Sequence, residues 1–234
     1  VKTAPYAAGM AFVLTPTLDG VQGTVSLDWT ISRGDGAVVL NRTTAAEPLT
    51  FEPTVPGVFS VKVVATDGEG TAEFELAAMF KASAAEVFVD EAGGNVYPYA
   101  RAADAATDIN VAWDMAGEGT VVHVAEGRYA LAKTLDFDRG ITLIGAGRDK
   151  TVLASSAEVN ARVATLNHAG AAIRGCTLTG ARIGNPSGRD GAGVYFGAKG
   201  GLLEDCRVTD NSGQVKMNGG GVSFVAGSKG VMRR

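Results

Sequence analysis

Charged side chains near the C-terminal end of this chain have the clearest chemical potential. Asp205 and Arg207 are two positions apart, and alternate side chains of a strand share a face. A continuous strand would therefore place Asp205, Arg207 and Thr209 on one face, and Glu204, Cys206 and Val208 on the other. A carboxylate and a guanidinium on one solvent face predict either an ion pair or a contact with a ligand.

The two cysteines mark an internal repeat. Cys176 and Cys206 lie 30 residues apart, in Gly170–Gly180 and Gly200–Asp210, and Val194 and Val222 correspond at a spacing of 28. Repeats of this length indicate stacked units. We expect the cysteines to form an inward ladder of small apolar residues. A disulfide remains an alternative, because adjacent parallel strands lie about 4.8 Å apart. A metal site is not favoured, since no histidine is near in sequence.

Other catalytic patterns are weak. His123 alternates with valines and is predicted to point outward, and His168 lies at a predicted turn. Neither has the spacing of a Ser-His-Asp or Cys-His site. Gly145-Ala-Gly147 lacks the third glycine and the following helix of a dinucleotide-binding loop, so it predicts a tight turn.

The composition of the 234 residues favours strands and turns over helices. There are 32 glycines, 20% of residues are charged and 7% are aromatic. A net charge of -4 gives no support for nucleic-acid binding. We expect no membrane span, because no run of 18 apolar residues occurs. The first residue, Val1, is consistent with a processed or trimmed N-terminus.

Residues 1–82 are predicted to form a β-sandwich. Short alternating segments recur every 8–12 residues between turn signals such as Asp19-Gly20 and Pro56-Gly57. Leu27-Asp-Trp-Thr-Ile31 and Pro56-Gly-Val-Phe-Ser-Val61 resemble a PKD-type immunoglobulin-like module over about residues 10–80. That resemblance implies an extracellular spacer or carbohydrate-associated module.

Residues 86–234 carry a different pattern. A strand, Glu86–Asp90, is followed by a predicted helix with Thr107 or Asp108 as its N-cap. Its apolar face contains Trp113, and glycines 117 and 119 end it. Short strands with glycine turns follow, in Gly119–Tyr129 and Ile141–Val152.

This order resembles the start of a right-handed parallel β-helix of the pectin-lyase-like superfamily. The resemblance implies that the helix caps the first coil with Trp113. The repeat is incomplete at Arg234, so we expect the solenoid to be truncated at its C-terminal end. The predicted fold class is therefore all-β: an immunoglobulin-like sandwich plus a helix-capped parallel β-helix.

The same resemblance suggests roles for the charged residues. Polysaccharide lyases of this fold hold calcium with carboxylates and use arginine or lysine as a base. Asp205 and Arg207 are the catalytic candidates, and Asp190, Asp205 and Asp210 are the candidate Ca²⁺ ligands. The alternative is an exposed charge pair. The Asp-Asp pair of polygalacturonases and the catalytic motifs of pectinesterases do not occur in these residues.

Three functions follow as hypotheses. The first is a bacterial, secreted or cell-surface protein with a structural, adhesive or glycan-binding role. The second is a polysaccharide lyase or glycoside hydrolase whose active site lies on later coils. The third is a subunit that self-associates through the open C-terminal coil end. The first is favoured, since the 234 residues contain no complete catalytic constellation.

Overall fold

The computed structural model describes residues 5–7, 11–156, 161–183, 191–213 and 220–234. For residues 5–7 only the backbone is described. The protein is nearly all β and contains parallel sheets. It divides into two compact units, Val1–Ala84 and Ala85–Arg234, called unit 1 and unit 2 below. None of the helices in the described part has the length and apolar character needed to cross a membrane.

Unit 1 is built mainly on sheet A, whose strand order is β1-β7-β6-β3-β4, and on the pair β2-β5, which we call sheet B. The β3-β6 and β6-β7 pairs are antiparallel, and β1 runs parallel to β7. The strands of this unit are β1 Pro5–Ala7, β2 Phe12–Leu14, β3 Ser26–Arg33, β4 Val38–Thr44, β5 Leu49–Phe51, β6 Gly57–Thr66 and β7 Thr71–Ser83.

The core of unit 1 follows from the alternation in its sequence. On β3, Leu27, Trp29 and Ile31 are buried, while the side chains between them reach solvent to differing extents. At one end of sheet A, Phe51 of sheet B packs against Phe59 and Phe80, with ring centroids 5.5 and 5.6 Å away. Sheet B therefore covers the inner face of sheet A through an aromatic cluster.

Unit 2 begins with β8 Glu86–Val89, a 3-10 turn at Ala102–Asp104 and one short helix, α1 Ile109–Trp113. Asp108 is the N-cap, and its side chain accepts a hydrogen bond from the Asn110 backbone N–H at 2.8 Å. The helix ends sooner than the sequence predicts, before Met115 and Ala116, but both of these residues are buried.

The rest of unit 2 repeats a circuit of short strands. These are β9 Val121–Val124, β10 Gly127–Leu131, β11 Leu135–Phe137, β12 Thr142–Gly145, β13 Thr151–Ser155, β14 Ala164–Leu166, β15 Ala172–Arg174, β16 Thr177–Thr179, β17 Arg182–Ile183, β18 Val194–Phe196, β19 Leu202–Glu204, β20 Arg207–Thr209, β21 Ser212–Gly213, β22 Val222–Phe224 and β23 Val231–Arg233.

Equivalent strands of successive circuits pair in parallel and in register. Sheet C has the order β23-β19-β15-β12-β9-β8, sheet D has β10-β13-β16-β20, sheet E has β11-β14-β18-β22, and β17 pairs with β21. The predicted correspondence of Val194 and Val222 is confirmed, since the two residues are paired partners.

The register aligns buried side chains into columns. In sheet C, the register pairs Val122 of β9 with Leu143 of β12, and Leu143 with Ile173 of β15. All three side chains are fully buried. In sheet E, Phe137, Leu166 and Phe196 form an equivalent column. Each circuit therefore supplies the floor on which the next circuit packs, and the side chains between the columns point outward.

Candidate functional site

The predicted residues Asp205 and Arg207 lie at the corner between sheets C and D, and each is already paired. Arg148 approaches Asp205 at 3.6 Å, and Arg207 contacts Asp149 at 2.6 Å. All four side chains are substantially exposed. Asp205 and Arg207 thus contribute to two cross-circuit ion pairs at this corner, here called the charged corner.

The longer turn at residues 146–150 brings Arg148 and Asp149 to the charged corner. The Gly147 N–H donates to the Gly175 carbonyl at 2.9 Å, and Thr177 Oγ1 donates to the Arg148 carbonyl at 2.5 Å. Gly175 has a φ of +62°, and a Cβ there would lie 3.1 Å from the Gly145 carbonyl oxygen. A glycine at 175 therefore lets the turn lie over the neighbouring circuit.

The alternation predicted around Asp205 is wrong. Asp205 has a φ of +48° and separates β19 from β20, so no continuous strand runs through it. Glu204 consequently points outward instead of sharing a face with Cys206. It contacts Arg174 at 3.0 Å and Arg233 at 2.6 Å, its paired partners on the adjacent strands.

Of the three candidate calcium ligands, Asp205 and Asp210 lie in the described part of the chain, and each has a partner there. Asp190 lies outside the described residues. The Asp210 carbonyl accepts a hydrogen bond from Arg182 at 2.6 Å, and its carboxylate accepts one from Thr209 at 3.3 Å. Among the residues that the structure describes, no three Asp, Glu, His or Cys side chains converge as metal ligands would.

Cys176 and Cys206 lie against each other on adjacent circuits as free thiols. Their Sγ atoms are 3.9 Å apart, Cys176 is buried and Cys206 is partly exposed. The hydrogen bond between them, together with burial, raises the pKa of Cys176 well above its usual value. The same hydrogen bond lowers the pKa of Cys206. Cys206 is therefore the thiol that deprotonates first.

Trp113 packs beside the first circuit. Its ring meets Phe137 of β11 edge to face, with centroids 4.8 Å apart and an interplanar angle of 62°. Helix α1 also contacts β8 and β10. The sequence predicted a structural role for Trp113, and its ring contacts Phe137 in the buried column of sheet E.

The outer face of sheet E carries a polar row that the sequence did not single out. Asp136, Thr165, Tyr195 and Ser223 are paired in that order across β11, β14, β18 and β22. The residues on either side of the first three are buried, so these side chains point outward. We call these four residues the outer row. It spans roughly 14 Å, from the usual strand spacing of about 4.8 Å.

Tyr195 is held in place by a neighbouring cation. The guanidinium carbon of Arg162 lies over the Tyr195 ring, 4.7 Å from its centroid. Arg162 Nε donates to the Gly191 carbonyl at 3.1 Å, which fixes the guanidinium above the ring. The cation–π contact and the hydrogen bond hold the guanidinium against one face of the aromatic ring.

Asp136, the first member of the outer row, is a weaker acid than an ordinary aspartate, because its pKa is raised. Desolvation by its surroundings is the main reason that the pKa of Asp136 is raised, and the negative charge of Asp138 adds to the shift. A hydrogen bond with Thr165 and the charge of Arg162 act in the opposite direction. Asp136 is therefore a surface carboxyl that retains its proton to higher pH than an ordinary aspartate.

One signal in the sequence could have identified part of the outer row. Leu135-Asp-Phe137 and Val194-Tyr-Phe196 each place a polar or amphipathic residue between two apolar ones. Such triplets predict one outward side chain per strand. The correspondence of Val194 and Val222 also aligns Tyr195 with Ser223. The partners of Asp136 and Thr165 could not be read from the sequence, since the register depends on turns of unequal length.

Comparisons with known proteins give no relative for this chain: no family model matches it, and neither the curated proteins nor the solved structures contain a significant match.

Proposed function

We propose that the chain is a glycan-binding, non-catalytic part of a secreted or cell-surface protein. In this proposal, unit 1 is an immunoglobulin-like sandwich of the PKD type and acts as a spacer. Unit 2 is the start of a right-handed parallel β-helix of the pectin-lyase-like type. The in-register parallel sheets and the repeated circuit support this interpretation of unit 2, and the antiparallel core strands of sheet A support that of unit 1.

The outer row carries the proposal. A sugar ring presents an apolar C–H face that can stack on an aromatic ring, and hydroxyls that hydrogen-bond to carboxyl, hydroxyl and guanidinium groups. In this proposal, Tyr195 supplies the ring face that Arg162 does not cover, and Arg162 supplies the guanidinium. Asp136, Thr165 and Ser223 supply polar groups along one line. A linear arrangement of roughly 14 Å suits an extended oligosaccharide more than a single sugar.

The charged corner is a weaker candidate, because its charges already neutralise one another. Arg148, Asp149, Asp205 and Arg207 form two ion pairs. A glycan that used Asp205 or Arg207 would have to break one of these pairs. We therefore assign binding to the outer row, and the charged corner becomes an internal comparison for it.

The test is binding to a panel of neutral and acidic polysaccharides, measured by affinity electrophoresis and calorimetry. Tyr195→Ala and Asp136→Asn are expected to weaken binding at least tenfold. Asp205→Ala and Phe88→Ala, which removes an aromatic side chain from the outer face of sheet C, should bind like the parent chain. Equal binding by the Tyr195→Ala variant, or no binding to any polysaccharide, would refute the proposal.

The same samples discriminate the enzyme hypothesis. Products of polysaccharide cleavage are measured as new reducing ends and as the unsaturated ends that lyases leave. Turnover that disappears in Asp136→Asn would replace the binding proposal with a hydrolase or lyase using the raised pKa of Asp136. Turnover that depends instead on Asp205 and Arg207, with added Ca²⁺, would restore the charged corner as the active site.

Self-association through the C-terminal circuit is a second candidate function. Phe224, stacked on Phe196 with ring centroids 4.4 Å apart, is 44% exposed, and Met232, paired with Leu203, is 49% exposed. Either a second copy stacked here or further circuits of a longer chain would bury both side chains. Light scattering with an intact-mass measurement tests this. Dimers or polymers lost in Phe224→Lys support self-association, and a monomer at all concentrations contradicts it.

A further inference from the structure

Unit 1 contains a cavity of about 840 Å³ on the inner face of sheet A. Sheet B and its aromatic cluster cover one end of that face. At the other end, β3, β6 and β7 face the irregular segment formed by residues 15–24, and the cavity lies between them. Its volume falls within the range of about 300–1,000 Å³ that is typical of small-molecule sites.

The floor of this cavity is apolar and well defined. Val25, Leu27, Trp29 and Val61 are buried residues that line it, and Met79 lines it from β7. The indole N–H of Trp29, its one polar group, donates to Thr44 Oγ1 at 2.9 Å. The ring is therefore fixed, and it contributes an apolar, electron-rich surface to the cavity.

The mouth of the cavity is acidic. Among the described residues, the charged lining residues are Asp19, Asp67, Glu69 and Glu73, and none that lines the cavity is a lysine or arginine. Glu73 is paired with Lys62 at 2.7 Å. After that pair is counted, three carboxylates remain around the opening, so their summed potential favours a positive charge there.

Asp67 also keeps the mouth in shape. Its carboxylate accepts hydrogen bonds from the backbone N–H groups of Gln22, Glu69 and Gly70, at 3.1, 2.9 and 3.0 Å. These bonds lower the pKa of Asp67, so it stays ionised. They also join residues 15–24 to the β6-β7 turn, which makes the mouth a fixed structure.

We propose that this cavity binds a small amphipathic organic cation, with an apolar ring or alkyl body against Trp29 and an ammonium or guanidinium group at Asp19 and Glu69. Size, apolar floor and acidic mouth together select this class. An anionic amphiphile would meet like charges at the mouth, and a simple metal ion would gain nothing from the floor. The proposal is independent of the glycan-binding function assigned to unit 2.

Trp29 provides the readout. The full chain carrying Trp113→Phe has Trp29 as its single tryptophan. Its fluorescence is followed while three probes with the same alkyl chain are added below their micelle concentrations: an alkyl trimethylammonium, the uncharged alcohol and the alkyl sulfate. We expect saturable binding of the cation, at least tenfold tighter than the alcohol, and weakest binding of the sulfate.

Two variants localise the site. Asp19→Lys with Glu69→Lys should weaken binding of the cation at least tenfold and remove its advantage over the sulfate. Glu47→Lys is the matched control, since Glu47 is an exposed carboxylate of unit 1 outside the cavity lining, and it should bind normally. Ala65→Phe, which fills the cavity, should weaken all three probes.

Three outcomes would overturn the proposal. These are equal binding of the three probes, a cation preference that survives the double charge reversal, and no saturable change in Trp29 fluorescence. Circular dichroism of each variant confirms that it is folded. The Ala65→Phe and double-lysine variants act by different means, so a folding failure in one leaves the other as the test.

Discussion

The two units bury their apolar faces in different ways. In unit 2, each buried side chain rests on its equivalent in the next circuit, so Val122, Leu143 and Ile173 leave no exposed surface. In unit 1, sheet A and sheet B differ in extent, and the part of sheet A beyond the aromatic cluster borders a cavity of about 840 Å³. The repeated circuits of unit 2 therefore fill their interior, whereas the two sheets of unit 1, which differ in size, leave part of theirs open.

This difference has a simple physical origin. A parallel pair of equal strands matches every inward side chain with one partner about 4.8 Å away. Two sheets packed face to face must instead fill a layer about 10 Å thick with side chains from both sides. Leu27 and Trp29 reach into that layer, but the segment of residues 15–24 opposite them forms no regular strand. The layer consequently remains open at that end.

The largest expected effect comes from shortening a leucine in each interior. Leu143→Ala should destabilise unit 2 by about 4 kcal/mol, near the upper part of the usual range of 2–5 kcal/mol, because both neighbouring circuits lose a contact. Leu27→Ala should cost unit 1 about 2–3 kcal/mol, since one side of that residue already borders a cavity.

Urea unfolding measures both changes separately. Trp29 in a Trp113→Phe background reports on unit 1, and Trp113 in a Trp29→Phe background reports on unit 2. Equal losses at the two leucines would mean that the interiors are equally well packed, and the comparison between the units would fail.

The second prediction compares two glycines with similar backbone angles. Gly36 has a φ of +85°, and a Cβ added there would have nothing within 4 Å, whereas at Gly180, with a φ of +80°, a Cβ would lie 2.7 Å from the Ser155 carbonyl oxygen. Gly36→Ala should cost about 1–2 kcal/mol from the backbone angle alone. Gly180→Ala should cost about 1–3 kcal/mol more, because it must displace the adjacent circuit.

Thermal unfolding of both glycine variants checks this difference. Similar losses for the two would indicate that the circuits can separate locally without a penalty. In that event, close packing would belong to the inward columns alone and would not extend to the turns.

The third prediction concerns exposed ion pairs, for which we expect the two units to be alike. A double-mutant cycle on Arg207 and Asp149 should give a coupling energy of about 0–1 kcal/mol, because both side chains are more than half exposed. The Lys62–Glu73 pair of unit 1, at 2.7 Å, should give a similar value. A clearly larger coupling for Arg207 and Asp149 would make the charged corner a stabilising feature of unit 2.

The smallest effects are expected from two aspartates, and their signs should be opposite. The lowered pKa of Asp67 stabilises unit 1 above the unfolded value near 3.8, and this contribution is lost as the pH falls through the folded pKa. The raised pKa of Asp136 means that the folded chain binds more protons just above that value, so stability falls as the pH rises through that window.

Asp67→Asn should therefore destabilise unit 1 at neutral pH, while Asp136→Asn should slightly stabilise unit 2. Unfolding curves between pH 3 and 7 test both, with Glu47→Gln as a variant expected to change neither. A loss of stability in Asp136→Asn at neutral pH would show that its carboxylate makes a favourable contact that outweighs desolvation.

Much of the fold could be predicted from local patterns, because burial controls alternation. The alternating residues around Trp29 form β3, and Cys176 and Cys206 meet across neighbouring circuits as the repeat predicts. Asp108 is the helix cap, one of the two alternatives that the sequence left open. The early end of α1 could not be predicted, since its burial pattern continues through Ala116 beyond the last helical residue.

The candidate sites were less predictable. The charged corner depends on a turn at residues 146–150 that reaches a strand more than fifty residues later, and the left-handed conformation of Asp205 has no strong local signal. The outer row requires residues that are about thirty positions apart to be in register. Its members are ordinary polar residues in sequence, and only parallel pairing makes them neighbours.

The register of unit 2 also has a mechanical consequence. Hydrogen bonds between circuits run along the direction in which the circuits stack, so a force along that direction is carried by all the layers of short strands in series, and the weakest layer yields first. Ala172 and Leu202 are paired across 30 residues of chain. Peeling off one circuit would therefore release about 100 Å of extended chain. Under tension, unit 2 would lengthen in steps, one circuit at a time.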